Sequence, residues 1–125
     1  MNKKIMIVDD NKEFLEELKE TLSLSGYDLI AVDDPTLVAE KVRSIKPEVL
    51  LLDLKMPKMS GFQVADELKY LSESAHLPII AMSAFIKDDY AAMLNIYGIK
   101  YHIKKPFHPL DVIAKIEEVL AQGPE

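Results

Sequence analysis

The chain reads as one α/β domain of the doubly wound (βα)5 kind, a five-stranded parallel sheet with helices on both faces, and three observations predict it. Short apolar runs recur five times along 125 residues, and segments with helical periodicity separate and follow them. Three of the runs, Ile-Met-Ile-Val, Val-Leu-Leu-Leu and Ile-Ile-Ala-Met, are apolar at every position, as expected of strands covered on both faces. Alternating βα units of this kind build an open parallel sheet with right-handed crossovers, and a chain of this length holds one such domain.

The first strand is expected over Ile5 to Val8. The helix after it carries Phe14, Leu15, Leu18 and Leu22 at one-turn spacing and ends at Ser25-Gly26. Leu29 to Val32 forms the second strand. Pro35 suits the opening turn of a helix over residues 36–44 read with Leu37, Val38, Val42 and Ile45, and Lys46-Pro47 stops it. Val49 to Leu52 is the third strand, followed by a helix over Gly61 to Leu71 with Phe62, Val64, Ala65 and Leu68 on one side. Pro78 to Met82 and a helix over Asp88 to Tyr97, closed by Gly98, make the fourth unit. Tyr101 to Ile103, a less pure run, precedes a last helix with Val112, Ile113, Ile116, Val119 and Leu120 in register. The domain is placed at residues 1–121, and residues 122–125 read as a frayed tail or truncated linker.

Composition narrows the function classes. Fifteen Lys+Arg against 21 Asp+Glu give a net charge of −6, which disfavours sequence-independent binding to nucleic acid or to an anionic membrane. With no cysteine there is neither a disulfide framework nor a thiolate metal site, so any metal must use oxygen or imidazole ligands. The apolar run near the N-terminus is far shorter than a signal-peptide core or a membrane span. These features read as a cytoplasmic protein. No Gly-x-Gly-x-x-Gly or Walker loop follows the first strand, which disfavours nucleotide binding.

Open parallel sheets bind ligands beyond the carboxyl ends of their strands. Those positions hold Asp9 and Asp10 after the first strand, Asp53 closing the third, Ser83 after the fourth and Lys104-Lys105-Pro106 after the fifth. Each alone has an ordinary explanation: Asp9, Asp10 or Asn11 could cap the first helix, Asp53 and Ser83 could serve turns, and the lysines could be solvated. Their placement on one rim of the sheet favours a joint role. Apposed carboxylates repel unless a cation holds them, which points to a hard ion such as Mg2+. Beside that ion a strand-end carboxylate can attack phosphorus to form an acyl phosphate, and Asp53 is the best placed. Such a transfer needs mainly positioning and positive charge, which metal and lysine supply, while Ser83 can bond a phosphoryl oxygen.

The same residues resemble the response-regulator receiver family over about residues 4 to 120. The match is Val8-Asp9-Asp10-Asn11, then Asp53-Leu54-Lys55-Met56-Pro57-Lys58-Met59-Ser60-Gly61, then Met82-Ser83-Ala84, then Lys105-Pro106-Phe107. The resemblance implies a flavodoxin-like fold and a switch of a two-component or phosphorelay system, not an enzyme, that assists its own aspartyl phosphorylation and dephosphorylation. It implies that Asp10, Asp53 and the backbone carbonyl of Lys55 bind Mg2+ directly and that Asp9 acts through a metal-bound water. Asp53 would accept a phosphoryl group from a histidine kinase or phosphotransfer protein. Ser83 and Lys105 would bind the phosphoryl oxygens, and the small Ala84 would leave them reachable. Lys105-Pro106 would be a cis peptide. Output to a downstream effector domain or protein, with a phosphorylation-linked dimer as one form, would use the fourth helix, fifth strand and fifth helix.

The chain departs from the family pattern at one point. The aromatic residue usual three positions before the lysine is His102, while Tyr101 lies one position early. In the family that side chain couples the movement of the Ser/Thr hydroxyl to the surface, so Ser83 and His102 form the expected switch pair, and a histidine makes the coupling altered or pH-sensitive. Lys55 and Phe85, two residues beyond Asp53 and Ser83, stand where the family shields the acyl phosphate from water, and their bulk implies slow hydrolysis.

Two other function classes fit these residues less well. Haloacid-dehalogenase-like phosphotransferases also use an aspartyl phosphate, but they resemble Asp-x-Asp, whereas Asp9 and Asp10 are adjacent and Leu54-Lys55 follows Asp53. A phosphorylation-independent module on the same fold tends to lose an acid or the lysine, and all five positions are present here.

Overall fold

The alternation of apolar runs and amphipathic segments folds into five βα units. The structure is a computed structural model that describes residues 2–72, 76–84 and 88–122. In chain order the elements are β1 (Lys4–Val8), α1 (Lys12–Leu24), β2 (Asp28–Val32), α2 (Val38–Ile45), β3 (Val49–Asp53), α3 (Gly61–Leu68), β4 (Ile79–Ser83), α4 (Asp88–Ile96), β5 (Tyr101–Lys104) and α5 (Pro109–Ala121). All neighbouring strands are parallel, in the order β2-β1-β3-β4-β5.

Alternate residues of each strand point to opposite faces, and both faces are covered. Met6, Val8, Leu50, Leu52 and Ala81 pack against Val38 and Val42 of α2, Val64 and Leu68 of α3 and Leu94 of α4. Ile5, Ile7, Val49, Leu51, Ile80 and Met82 pack against Leu15, Leu18 and Leu22 of α1 and Val112, Ile116 and Val119 of α5. This division explains the continuous apolar spelling of β1, β3 and β4. The edge strands β2 and β5 bury fewer positions, and β5 alternates half-buried Tyr101 and Ile103 with exposed His102 and Lys104.

Several boundaries differ from the sequence expectation for local reasons. Pro35 opens a 3-10 turn (Pro35–Leu37), capped by Asp34, that leads into α2. At the end of α3, Tyr70 and Leu71 donate three residues back, to Glu67 and Leu68, so the regular helix stops at Leu68, short of Leu71. Lys46 leaves α2 in the left-handed region at φ 56°, which forms the stop expected from Lys46-Pro47. At the end of α1, Gly26 turns at φ 85°, a conformation that costs other residues a clash at Cβ. No helix among the described residues is long and apolar enough to cross a membrane.

Candidate functional site at the carboxyl rim

The strand order changes direction at β1, with β2 on one side and β3 on the other, so the carboxyl ends of β1 and β3 lie side by side. Val8 pairs with Leu52, and the next residues, Asp9 and Asp53, are therefore neighbours despite their separation in sequence. One carboxylate oxygen from each of Asp9, Asp10 and Asp53 can be chosen so that all three lie within 4.8 Å of one another. Asp9 and Asp53 are buried, at 1% and 6% exposure, and Asp10 is open to solvent.

Helix capping does not account for these acids. Asn11 is the N-cap of α1, its side-chain oxygen accepting from the Phe14 N–H at 3.1 Å. Asp9 instead accepts from the Asn11 N–H at 2.9 Å and from Lys105 Nζ at 2.7 Å. Asp53 accepts from the Lys55 N–H at 3.2 Å and lies 3.8 Å from Lys105 Nζ. Burial, and next the charge of Asp9, push the Asp53 carboxyl up to about 6, against the opposing pull of the Lys55 N–H and Lys105.

The loop that follows β3 is held by a close backbone approach. Gly61, the first residue of α3, donates to the Leu54 carbonyl at 3.1 Å, and a Cβ there would strike the Asp53 carbonyl oxygen and come within 2.8 Å of Leu54 Cα. Ser60 and Gln63 form a reciprocal capping box at the same helix start. Together they fix the chain that follows Asp53.

Ser83 ends β4 beside β3 and is 3% exposed. Its carbonyl accepts from the Lys105 N–H at 2.8 Å, which ties the end of β4 to the lysine. Lys104 stays on the exposed face of β5, whereas Lys105 turns inward just before a cis bond to Pro106. Ala84 is exposed and lines a cavity of about 410 Å³ with Asn11, Phe14, Lys105, Pro106 and Phe107. The structure thus brings Asp9, Asp10, Asp53, Ser83, Ala84 and Lys105 to one rim. His102 stands apart, exposed on β5 opposite Ala81, and Tyr101 packs into the α1 and α5 layer. Phe85 lies outside the described residues.

Helical periodicity places Phe14 only in the core, yet its ring lies 4.8 Å from Lys105 Nζ and meets Phe107 edge-to-face at 5.6 Å. The available signal was its position four residues after Asp10, on the first turn of the helix that leaves the acid pair.

The site fits a hard divalent cation. Lys105 lies 2.7 Å from Asp9 and 3.8 Å from Asp53, so one ammonium serves a group of three carboxylates, and burial together with the charge of Asp9 raises the Asp53 carboxyl. Oxygen ligands in this number suit Mg2+.

Comparison with known proteins agrees with this geometry. The family model described as the response regulator receiver domain matches residues 5–117. The chain is 33% identical over 125 residues to the alkaline phosphatase synthesis transcriptional regulatory protein PhoP of Bacillus subtilis, covering 98% of this chain and 50% of that protein. It is 29% identical over 123 residues to the polar-differentiation response regulator DivK of Brucella anthropi, covering 98% of this chain and 100% of that one. Among solved structures, the chemotaxis protein CheY4 of Vibrio cholerae superposes with a TM-score of 0.91 at 22% identity, covering 95% of this chain and 99% of CheY4, a likeness of fold. The chain therefore spans about half the length of PhoP and the whole of DivK.

Proposed function

Because this chain belongs to the response regulator receiver domain family of two-component signalling, we propose that it is a switch set by phosphorylation of Asp53. The observation that carries this reading is the grouping of the Asp53 carboxylate with Asp9, Asp10 and Lys105, the last of which also lines the cavity beside Ala84. Asp9, Asp10, Asp53 and the backbone carbonyl of Lys55 would hold Mg2+. When bound, the ion supplies positive charge to the three carboxylates and to the incoming phosphoryl oxygens.

The chain's own groups do the rest. The Lys55 N–H holds one oxygen of Asp53, orienting the carboxylate for attack on phosphorus. As the new oxygen–phosphorus bond forms, the bond from phosphorus to the donor breaks and its electron pair leaves with the donor. Lys105 and the Ser83 hydroxyl are assigned to the phosphoryl oxygens, and exposed Ala84 leaves room for the donor. A histidine kinase or phosphotransfer protein is the proposed donor in the cytoplasm. The effector is proposed to be a downstream domain or protein, with no direct contact to nucleic acid, and dimerisation on phosphorylation is one form of output. The receiver unit is assigned to residues 1–121 and residues 122–125 to a tail or linker.

Incubation with Mg2+ and acetyl phosphate, followed by intact mass measurement, tests the central claim. The wild type should gain one phosphoryl group and Asp53→Asn none. Equal gain by both would overturn the assignment of Asp53.

His102 is assigned to readout with Ser83. If it couples the site to α4, β5 and α5, His102→Ala should shrink the phosphorylation-dependent amide shifts there by half or more. Unchanged shifts would leave His102 as a surface residue.

A further inference from the structure

We propose that Phe14 is a positioning residue for phosphoryl transfer, its ring acting with Asp9 to hold the Lys105 ammonium at the mouth of the site. The inference rests on the reading of Asp53 as phosphoacceptor and adds a residue to it. Lys105 Nζ lies 2.7 Å from Asp9 Oδ2, 3.8 Å from Asp53 Oδ2 and 4.8 Å from the centroid of the Phe14 ring. An ammonium at this distance from a ring is attracted by the negative face of the π system.

The ring is not free to wander. Asn11 accepts from the Phe14 N–H and fixes the first turn of α1, and Phe107 meets the ring edge-to-face at 5.6 Å with 66° between planes. Phe107 lies two residues beyond Lys105, so one aromatic pair braces both the helix that follows the acid pair and the loop that carries the lysine. Lys105 is a long, flexible side chain, 26% exposed, with several rotamers open to it. Asp9 fixes one end of its range. The ring adds a second attraction without supplying an acceptor oxygen, so the ammonium can still donate to Asp9 and to oxygen atoms arriving at Asp53. An aliphatic side chain at position 14 could fill the same space but would supply no attraction.

Phe14→Leu and Phe14→Tyr in the full chain separate the ring from its volume, and residue 14 lines a cavity of about 410 Å³. Two quantities are read: the NMR shift of the Lys105 ε-methylene protons, which the ring displaces upfield, and the initial rate of phosphorylation by acetyl phosphate at saturating Mg2+. Phe14→Leu should abolish the upfield displacement and slow phosphorylation about fivefold, the equivalent of about 1 kcal/mol. Phe14→Tyr should retain the displacement and a rate near that of the wild type. A Phe14→Leu protein that keeps either the displacement or the wild-type rate overturns the inference, as does a Phe14→Tyr protein that loses both. A wild type that takes no phosphoryl group overturns the phosphoacceptor reading, a result distinct from a phosphorylated wild type matched by Phe14→Leu.

Discussion

At the scale of the residue, Asp53 ties chemistry to stability. Its carboxyl moves from 3.8 to about 6 on folding, so the folded state binds that proton more tightly than the unfolded chain. Folding is therefore favoured as pH falls through about 6, and the gain is complete below about 4; its ceiling is about 3 kcal/mol. Above that window the domain bears the full cost of a buried charge. Urea unfolding without metal should show Asp53→Asn more stable than the wild type by about 1 to 3 kcal/mol at pH 7, with the difference vanishing near pH 4. Mg2+ should raise the wild-type midpoint at pH 7 and do so less for Asp53→Asn, and a chelator should reverse it. A wild type that loses stability on acidification from pH 7 to 5 would contradict the assigned cause.

At the scale of the element, the junction between β3 and α3 is the tightest part of the site. Gly61→Ala would drive a Cβ into the backbone of Asp53 and Leu54, so α3 must shift. A loss of about 2 kcal/mol in denaturant unfolding is expected, together with slower phosphorylation, because the same backbone carries the acceptor. Much of this level was legible in the sequence. The strands β1, β3 and β4 could be read because covering both faces makes every position apolar, and α1 and α5 because one face of each is buried. The α4 segment was weaker to read since Leu94 is the buried anchor among its described side chains, and β5 was weaker because an edge strand leaves alternate positions wet. The acids and Lys105 could be found from their place after each strand. Their pairing could not: nothing in the spacing says that Lys105 lies nearer Asp9 than Asp53, or that Asn11 takes the cap and leaves Asp9 and Asp10 for other work. The contact of Phe14 with Lys105 is not legible because a ring on the inner side of a helix has the same periodicity whether it packs on leucine or on an ammonium.

At the scale of the whole molecule, two apolar layers share one sheet, so neither can be lost alone. Leu51 belongs to the layer under α1 and α5, and Leu52 to the layer under α2, α3 and α4. Leu51→Ala and Leu52→Ala should each cost about 2 to 5 kcal/mol. In each variant, loss of far-UV circular dichroism and loss of tyrosine fluorescence should coincide along the urea axis. Separate transitions would show that the layers unfold independently. The strand order carries one more consequence. Asp9 comes from the first βα unit, Asp53 from the third and Lys105 from the last, and β1 meets β3 only when the central strands have docked. During synthesis, a polypeptide whose final unit is still inside the ribosome has its acids but not its ammonium, and it stays deaf to any signal until the last strand is released and seated.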